Sequence, residues 1–94
     1  MPLTRGRIGG YDSERMAFGF TMMNGDQEIE CQISDAAMDE LAGTRGTASM
    51  ARQAQFVALR DAVERIASDI FDGAPVVKGA TIRIFTKHIP KQES

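Results

Sequence analysis

The sequence predicts an α+β domain in which a small antiparallel sheet packs, as two layers, on one long amphipathic helix. Apolar residues alternate with small or polar ones over residues 16–22 and 29–33, and again over 80–87. Between residues 48 and 71 the apolar positions recur every three or four residues. A period of two indicates a strand and a period near 3.6 indicates a helix. The predicted order is therefore β-hairpin, short helix, long helix and closing strand.

The first two alternating segments predict the hairpin. Asn24-Gly25 lies between them and can adopt the positive φ angles of a tight turn. Glu28 and Glu30 point to one face of the second strand, which we expect to be solvated. The positions predicted for the opposite, buried face are Met16, Phe18, Phe20, Met22, Ile29, Cys31 and Ile33.

A short helix is predicted directly after the hairpin. Ser34 is a good N-cap because its hydroxyl can accept a hydrogen bond from the first helical turn. Asp35 adds a negative charge where the helix dipole favours one, and Gly43 is a natural stop. The helix predicted after it, from residue 48 to 71, ends before Asp72-Gly73. Its apolar stripe consists of Phe56, Leu59, Val63, Ile66, Ala67 and Ile70.

These elements define one domain over residues 16–88, which suits a chain of 94 residues. Residues 1–15 are rich in glycine and arginine without a period, and we expect a flexible lead-in there. Residues 89–94 are expected to form a polar tail. The open edges of a small sheet expose unpaired backbone groups, and pairing with a second copy of the chain would satisfy them.

Several segments carry a family resemblance. They are Tyr11-Asp12 through Phe20, the run IECQIS followed by an alanine-rich helix that ends at Leu41, and FVALRDAVERIASDIFDG followed by TIRIFT. Over residues 11–88 the chain resembles the bacterial family known as domain of unknown function 1488. The resemblance implies a small α+β fold and brings no activity, cofactor or catalytic residue.

Composition and charge argue against several classes of protein. The formal net charge is −2, which gives no electrostatic reason to expect nucleic acid or an anionic membrane as partner. No run approaches the length of about 20 apolar residues that a membrane helix needs. One cysteine cannot form an intrachain disulfide, and no secretory pattern leads the chain. We therefore expect a cytoplasmic protein.

Cys31 and His88 are the single cysteine and the single histidine. Cys31 lies between Ile29 and Ile33 on the apolar face of a strand, so we interpret it as a core residue rather than a nucleophile. His88 follows the last strand and is expected at the surface. One imidazole and one thiol cannot complete a usual zinc site within one chain. We expect no metal, no cofactor and no catalytic residue.

Four charged residues are the candidates for binding. Arg45, Arg52 and Arg60 would form a basic patch if the fold gathers them on one surface. Glu64 lies near the edge of the long helix's apolar stripe, and it is the acidic position that a chemical role would require us to test first. A solvated helix residue is the alternative interpretation of Glu64, since glutamate is seldom buried without a partner.

The leading hypothesis is a small non-enzymatic binding or regulatory module that associates with a second copy of itself. It rests on the open sheet, the long amphipathic helix and the lack of a catalytic constellation in the sequence. An unidentified protein is the other candidate partner, and no membrane is expected. The alternative is a nucleic-acid-associated regulator that uses the arginine patch. An enzyme that uses Glu64 or Cys31 is the least favoured class.

Overall fold

The structure is a computed structural model that describes residues 3–73 and 80–90. A four-stranded sheet carries two helices on one face, which confirms the predicted α+β class. Short 3-10 turns, Ser49–Ala51 and Thr86–His88, precede the second helix and follow the last strand. The elements in chain order are β1 (Thr4–Asp12), β2 (Ala17–Asn24), β3 (Gln27–Ser34), α1 (Asp35–Ala42), α2 (Arg52–Gly73) and β4 (Ile82–Ile84).

The sheet is mixed rather than antiparallel, which corrects the prediction. Its order is β1-β2-β3-β4; the first two pairs are antiparallel and β3 pairs with β4 in parallel. Both helices lie between β3 and β4 in the chain. A connection of that length can return the chain to the end of the sheet where β3 begins. β4 therefore runs in the same direction as β3.

β1 lies within the segment that was expected to be a flexible lead-in. It pairs with β2 from Thr4 opposite Met23 to Asp12 opposite Ala17. The register shifts between Arg5 and Ile8 and again between Ile8 and Gly10. Each irregularity moves the alternation out of phase, so residues 1–15 show no period although they contain a strand. A Cβ atom on Gly6 would overlap the side chain and carbonyl of Thr21, so glycine is needed at this position.

The predicted hairpin is confirmed, with its turn one residue later than expected. Asn24 pairs with Gln27, so Gly25 and Asp26 are the two loop residues. Gly25 has φ 61°, and Asn24 does not adopt a positive φ. A positive φ at the first loop residue alone is the pattern of a type II′ turn, which matches the twist of the flanking strands.

Met16 does not take the inward strand position that its alternation predicts. It has φ 51° and is 61% exposed, and β2 begins one residue later. Its carbonyl accepts a hydrogen bond of 2.9 Å from the amide of Asp35. This backbone contact holds the turn before β2 against the start of α1.

The predicted helix boundaries of α1 are confirmed. The Ser34 hydroxyl accepts from the Ala37 amide at 3.1 Å, and Gly43 adopts the left-handed conformation with φ 73°. α2 begins at Arg52, four residues after the predicted start, because residues 49–51 form the 3-10 turn. β4 is shorter than the predicted 80–87, since Phe85 begins the turn that contains His88.

The core lies between the sheet and the helices. Four of the six predicted stripe residues of α2 are buried, and Leu59 and Ile70 pack against them partly exposed. Ile89, assigned to the polar tail, is buried, and residues 91–94 of that tail lie outside the described residues. The buried apolar side chains of the sheet are Ala17, Phe18, Phe20, Met22, Ile29, Cys31, Ile33, Ile82 and Ile84, and Leu3 is buried just before β1.

Candidate functional site

Arg52 is a buried residue at the first turn of α2. It is 3% exposed, and its guanidinium Nη1 donates to Asp39 Oδ1 and to Gln55 Oε1, each at 2.7 Å. Its Nε lies 3.4 Å from Asp35 Oδ1. A buried arginine with two carboxylate neighbours holds its charge inside the fold and has none to offer to an external phosphate.

Asp39 joins α1 to the loop that leads into α2. Its Oδ1 accepts from Thr47 Oγ1 at 2.7 Å and from Gln55 Nε2 at 3.1 Å, in addition to Arg52. The Arg52 hydrogen bond, followed by those from Thr47 and Gln55, holds the pKa of Asp39 well below its usual range. The network extends to β1, where the Tyr11 hydroxyl donates to Asp35 Oδ2 at 2.8 Å. We call Tyr11, Asp35, Asp39, Arg52 and Gln55 the Arg52 network.

Arg60 and Glu64 belong to a second network, which joins α2 to β1. Arg60 Nε donates to Glu64 Oε2 at 3.0 Å, and Arg5 Nε donates to the same oxygen at 2.9 Å. Arg60 Nη2 also donates to the Gly6 carbonyl at 3.2 Å. The Glu64 side chain is only 12% exposed. Two guanidinium groups therefore occupy this carboxylate, which leaves it poorly placed to act as a base.

The four predicted binding residues do not form one surface. Arg60 and Glu64 contact each other, whereas Arg52 is buried with Asp39 in a different network. Arg45 lies in the exposed loop after α1, beside a shallow depression that Glu40 and Thr86 also line. The nucleic-acid hypothesis requires a basic patch of three arginines. Of these three, Arg45 alone therefore remains a candidate for such a contact.

Cys31 lies in the core, as predicted. It is buried beneath the helices in the middle of β3, and its thiol donates weakly to the Ile29 carbonyl at 3.6 Å. Burial raises the pKa of the Cys31 thiol to about 12. At neutral pH the thiolate, which is the reactive form, is therefore scarce as well as inaccessible.

We expect a disulfide reagent to modify Cys31 at least about 100-fold more slowly in native protein than in urea-unfolded protein at the same pH. Absorbance of the released thiol follows the reaction. A matched variant, Cys31→Ala with Ser49→Cys, places a thiol on the exposed turn and should react at the unfolded rate under both conditions. Equal rates for the native and unfolded wild-type chain would show that Cys31 is not a core residue.

His88 is partly buried in the turn after β4 rather than free at the surface. Its Nδ1 accepts from the Phe85 amide at 2.9 Å, and its ring stacks at 6.1 Å on that of Phe85. Over residues 3–73 and 80–90, no group of three or more His, Cys, Asp and Glu side chains is arranged to hold a metal ion. Neither helix in the described part of the chain combines the length and apolar character needed to cross a membrane.

The face of the sheet that carries no helix is polar. Arg7 reaches over β2 and forms two hydrogen bonds of 2.7 Å with Glu28 of β3. Thr21 Oγ1 donates to the same carboxylate at 3.1 Å. The Arg7 hydrogen bond is the first cause of the lowered pKa of Glu28. Glu28 is thus paired within the sheet, while Glu30 remains exposed beside it.

Both edges of the sheet are poor templates for another strand. β1 is irregular at two places, and its Gly6 carbonyl is already bonded to Arg60. β4 has three residues and turns away at Phe85. Bulged, charged or very short edge strands are the features by which proteins avoid edge-to-edge pairing.

Exposed apolar side chains lie instead on the outer surface of α2 and the turn before it. Met50 is 91% exposed and Val57 is 54% exposed. Ala54 and Ala58 are also exposed and complete a helical spacing of four, seven and eight residues from Met50. We call Met50, Ala54, Val57 and Ala58 the outer strip. Beyond it the same surface carries charged residues: Asp61, Arg65 and Asp69.

Comparison with known proteins decides the family. Residues 6–81 match the model of a family described as "Protein of unknown function (DUF1488)". The chain belongs to this family. No curated protein matches this DUF1488 chain. Its fold is similar to the crystal structure of another DUF1488 protein of unknown function, from Shewanella loihica PV-4. The two chains are 19% identical over 88% of this chain and 89% of the other, with a TM-score of 0.71, which supports the fold alone.

Proposed function

We propose that this protein is a non-enzymatic binding module that associates with a second copy of itself through the outer strip of α2. The observation that carries the proposal is the exposure of Met50 and Val57 on one surface with two alanines. Exposed apolar side chains that cluster on one helix surface favour contact with another protein.

The pattern of the outer strip favours a second copy with α2 antiparallel to the first. In that arrangement, centred on Ala54, Met50 of each chain packs beside Ala58 of the other, so a large side chain meets a small one. The charged half of α2, with Asp61 and Asp69, then lies at opposite ends of the pair. A parallel arrangement would align these like charges and would be less favourable.

The chemistry of the core supports a non-enzymatic role. Cys31 is buried, Glu64 is paired with two arginines, and His88 is the single histidine of the sequence. We place the module in the cytoplasm, where an unpaired thiol is ordinary. The nucleic-acid alternative loses support because Arg52 is buried and Arg60 is bonded to Glu64 and Gly6.

Self-association is expected to be weak, because the outer strip is smaller than the roughly 800 Å² per partner of a stable interface. Sedimentation equilibrium should show a weight-average mass that rises towards twice that of the monomer between about 10 µM and about 1 mM. Met50→Lys and Val57→Lys should each remain monomeric over this range, since a charge would be buried in the contact.

Met16→Lys is the matched control, because Met16 is also an exposed methionine and lies outside the outer strip. This variant should associate as the wild type does. A wild-type protein that keeps the monomer mass throughout would refute the proposal. Association of Val57→Lys at the wild-type strength would place the contact elsewhere on the molecule.

A further inference from the structure

A groove lies at the end of the sheet where β3 and β4 both finish. The turn before β2 forms one wall, because β2 begins beside the last residue of β3, with Ala17 opposite Ser34. β4 forms the other wall, with Arg83 opposite Gln32 and Ile84 opposite Ile33. Since β3 and β4 are parallel, their carboxyl ends meet at this end of the sheet, beside the start of β2.

Two arginines line the groove and no acidic residue does so among the described residues. Arg83 is exposed and makes no ion pair within residues 3–73 and 80–90. Arg15 has only a long contact of 3.6 Å with Asp12. Asp35, at the start of α1, does not line the groove, and its carboxylate is paired with Tyr11 and Arg52. In a chain of net charge −2 this is a local excess of positive charge.

Neutral polar groups accompany the arginines. The Ser34 hydroxyl accepts from the Ala37 amide and lines the groove, and a hydroxyl that accepts can also donate its own proton to a bound oxygen. Gln32 is the register partner of Arg83, which places both side chains on the same outer face of the sheet. An oxyanion seated between the two arginines would thus meet further donors.

Phe85 adds an apolar surface at the mouth of the groove. It is 44% exposed although it is a large aromatic residue. Its backbone is held in the turn, because its amide donates to His88 Nδ1 and its carbonyl accepts from the His88 amide, and its ring stacks on that of His88. A half-exposed ring that shares a groove with two guanidinium groups can contact a flat apolar group of a ligand.

We propose that this groove binds a small anion, a carboxylate or a phosphate monoester, that carries a planar apolar group. Arg83 and Arg15 bind the oxygens, since guanidinium groups match carboxylate and phosphate geometry with two parallel donors. Phe85 contacts the planar group. The groove volume of about 330 Å³ limits the ligand to the small end of the usual range. The outer strip of α2 takes no part, so this inference is independent of self-association.

NMR titration of ¹⁵N-labelled protein tests the proposal with four probes: phenyl phosphate, benzoate, inorganic phosphate and phenol. Phenyl phosphate or benzoate should shift the amides of Gln32, Arg83 and Phe85 and saturate at millimolar concentration. The preferred one of the two identifies the anion. Inorganic phosphate and phenol, which each lack one half of the ligand, should bind at least about tenfold more weakly.

Arg83→Gln and Arg15→Gln should each weaken binding by about tenfold, since each removes charged hydrogen bonds. Lys87→Gln removes a nearby exposed charge that does not line the groove, and Arg65→Gln removes a distant one on α2; both should bind as the wild type does. No saturable shift with either aromatic anion up to about 20 mM at low salt would overturn the proposal. Equal losses in Lys87→Gln and Arg83→Gln would overturn it as well, because they would indicate diffuse charge rather than a site.

Discussion

Replacing Arg52 with alanine is expected to lower the free energy of unfolding by about 3–5 kcal/mol, the range found when one partner of a buried ion pair is removed. Arg52 is 3% exposed and its guanidinium contacts Asp35, Asp39 and Gln55. Without it, two mostly buried carboxylates one turn apart on α1 lose the cation that α2 places between them. Urea unfolding followed by circular dichroism measures the change.

The same variant should alter how stability depends on pH. Hydrogen bonds led by that of Arg52 lower the pKa of Asp39 in the folded protein below its unfolded value of about 4. A carboxylate with a depressed folded pKa contributes stability above the unfolded pKa, and this contribution is lost as pH falls through the folded pKa. Wild-type stability should therefore fall on acidification below about pH 5, and Arg52→Ala should show a shallower fall.

Arg65→Ala is the control for Arg52→Ala. Arg65 is on the same helix but exposed, and it makes no ion pair among the described residues. Its replacement should change the free energy of unfolding by less than about 0.5 kcal/mol. If Arg52→Ala were as stable as Arg65→Ala, the Arg52 network would not be the contact that holds α1 against α2.

Replacing Phe56 with alanine is expected to lower the free energy of unfolding by about 3–5 kcal/mol as well, through the loss of buried apolar contact and the cavity left behind. Phe56 is fully buried, and its ring lies 4.9 Å from those of both Phe18 and Phe20. These three rings join α2 to β2. Urea unfolding again gives the value, here with tertiary packing followed by near-ultraviolet circular dichroism.

Val57→Ala is the matched control, because Val57 is adjacent in sequence but lies on the outer surface of α2 and is half exposed. At protein concentrations of about 5 µM, where association is negligible, it should cost less than about 1 kcal/mol. A loss below about 1 kcal/mol for Phe56→Ala would mean that the rings of Phe18 and Phe20 close the space, and that α2 is not anchored through Phe56.

Periodicity predicted the elements whose side chains alternate without interruption. The hairpin, the cap at Ser34 and the buried face of α2 depend on residues close in sequence, so local pattern was sufficient to place them. β1 was not found because two bulges break its alternation between Arg5 and Gly10. A strand with two register shifts does not keep a two-residue alternation, so its sequence shows no period that identifies it.

The charged networks could be predicted only in part. Glu64 stood out because it lies at the edge of an apolar stripe, and the structure does place it against α2's packing partner β1, bonded to Arg5. Arg52 was considered as part of a surface patch, whereas it is buried with Asp39. Helical spacing shows which residues share a face, but the partner across the interface comes from α1, whose orientation relative to α2 depends on the loop between them.

The groove at the ends of β3 and β4 lay beyond sequence analysis for a topological reason. Arg15 and Arg83 are far apart in the chain and line the same groove only because β4 returns parallel to β3. If β4 ran antiparallel to β3, as predicted, its two ends would be exchanged. Phe85 would then lie at the opposite end of the strands. The direction of one three-residue strand therefore determines whether this groove exists.

That strand direction also bears on how the chain folds. β1, β2 and β3 form a meander joined by short turns, so their contacts are local and close quickly. The ladder between β3 and β4 instead closes a loop that contains both helices, and the entropy cost of closure grows with loop length. Because β4 repays this cost with only three residues, from Ile82 to Ile84, we expect its docking to come late in folding and its release to require less free energy than opening of the meander. Ile82 is the register partner of Cys31, so release of β4 would remove the neighbour that flanks Cys31 on the side of β3 away from β2.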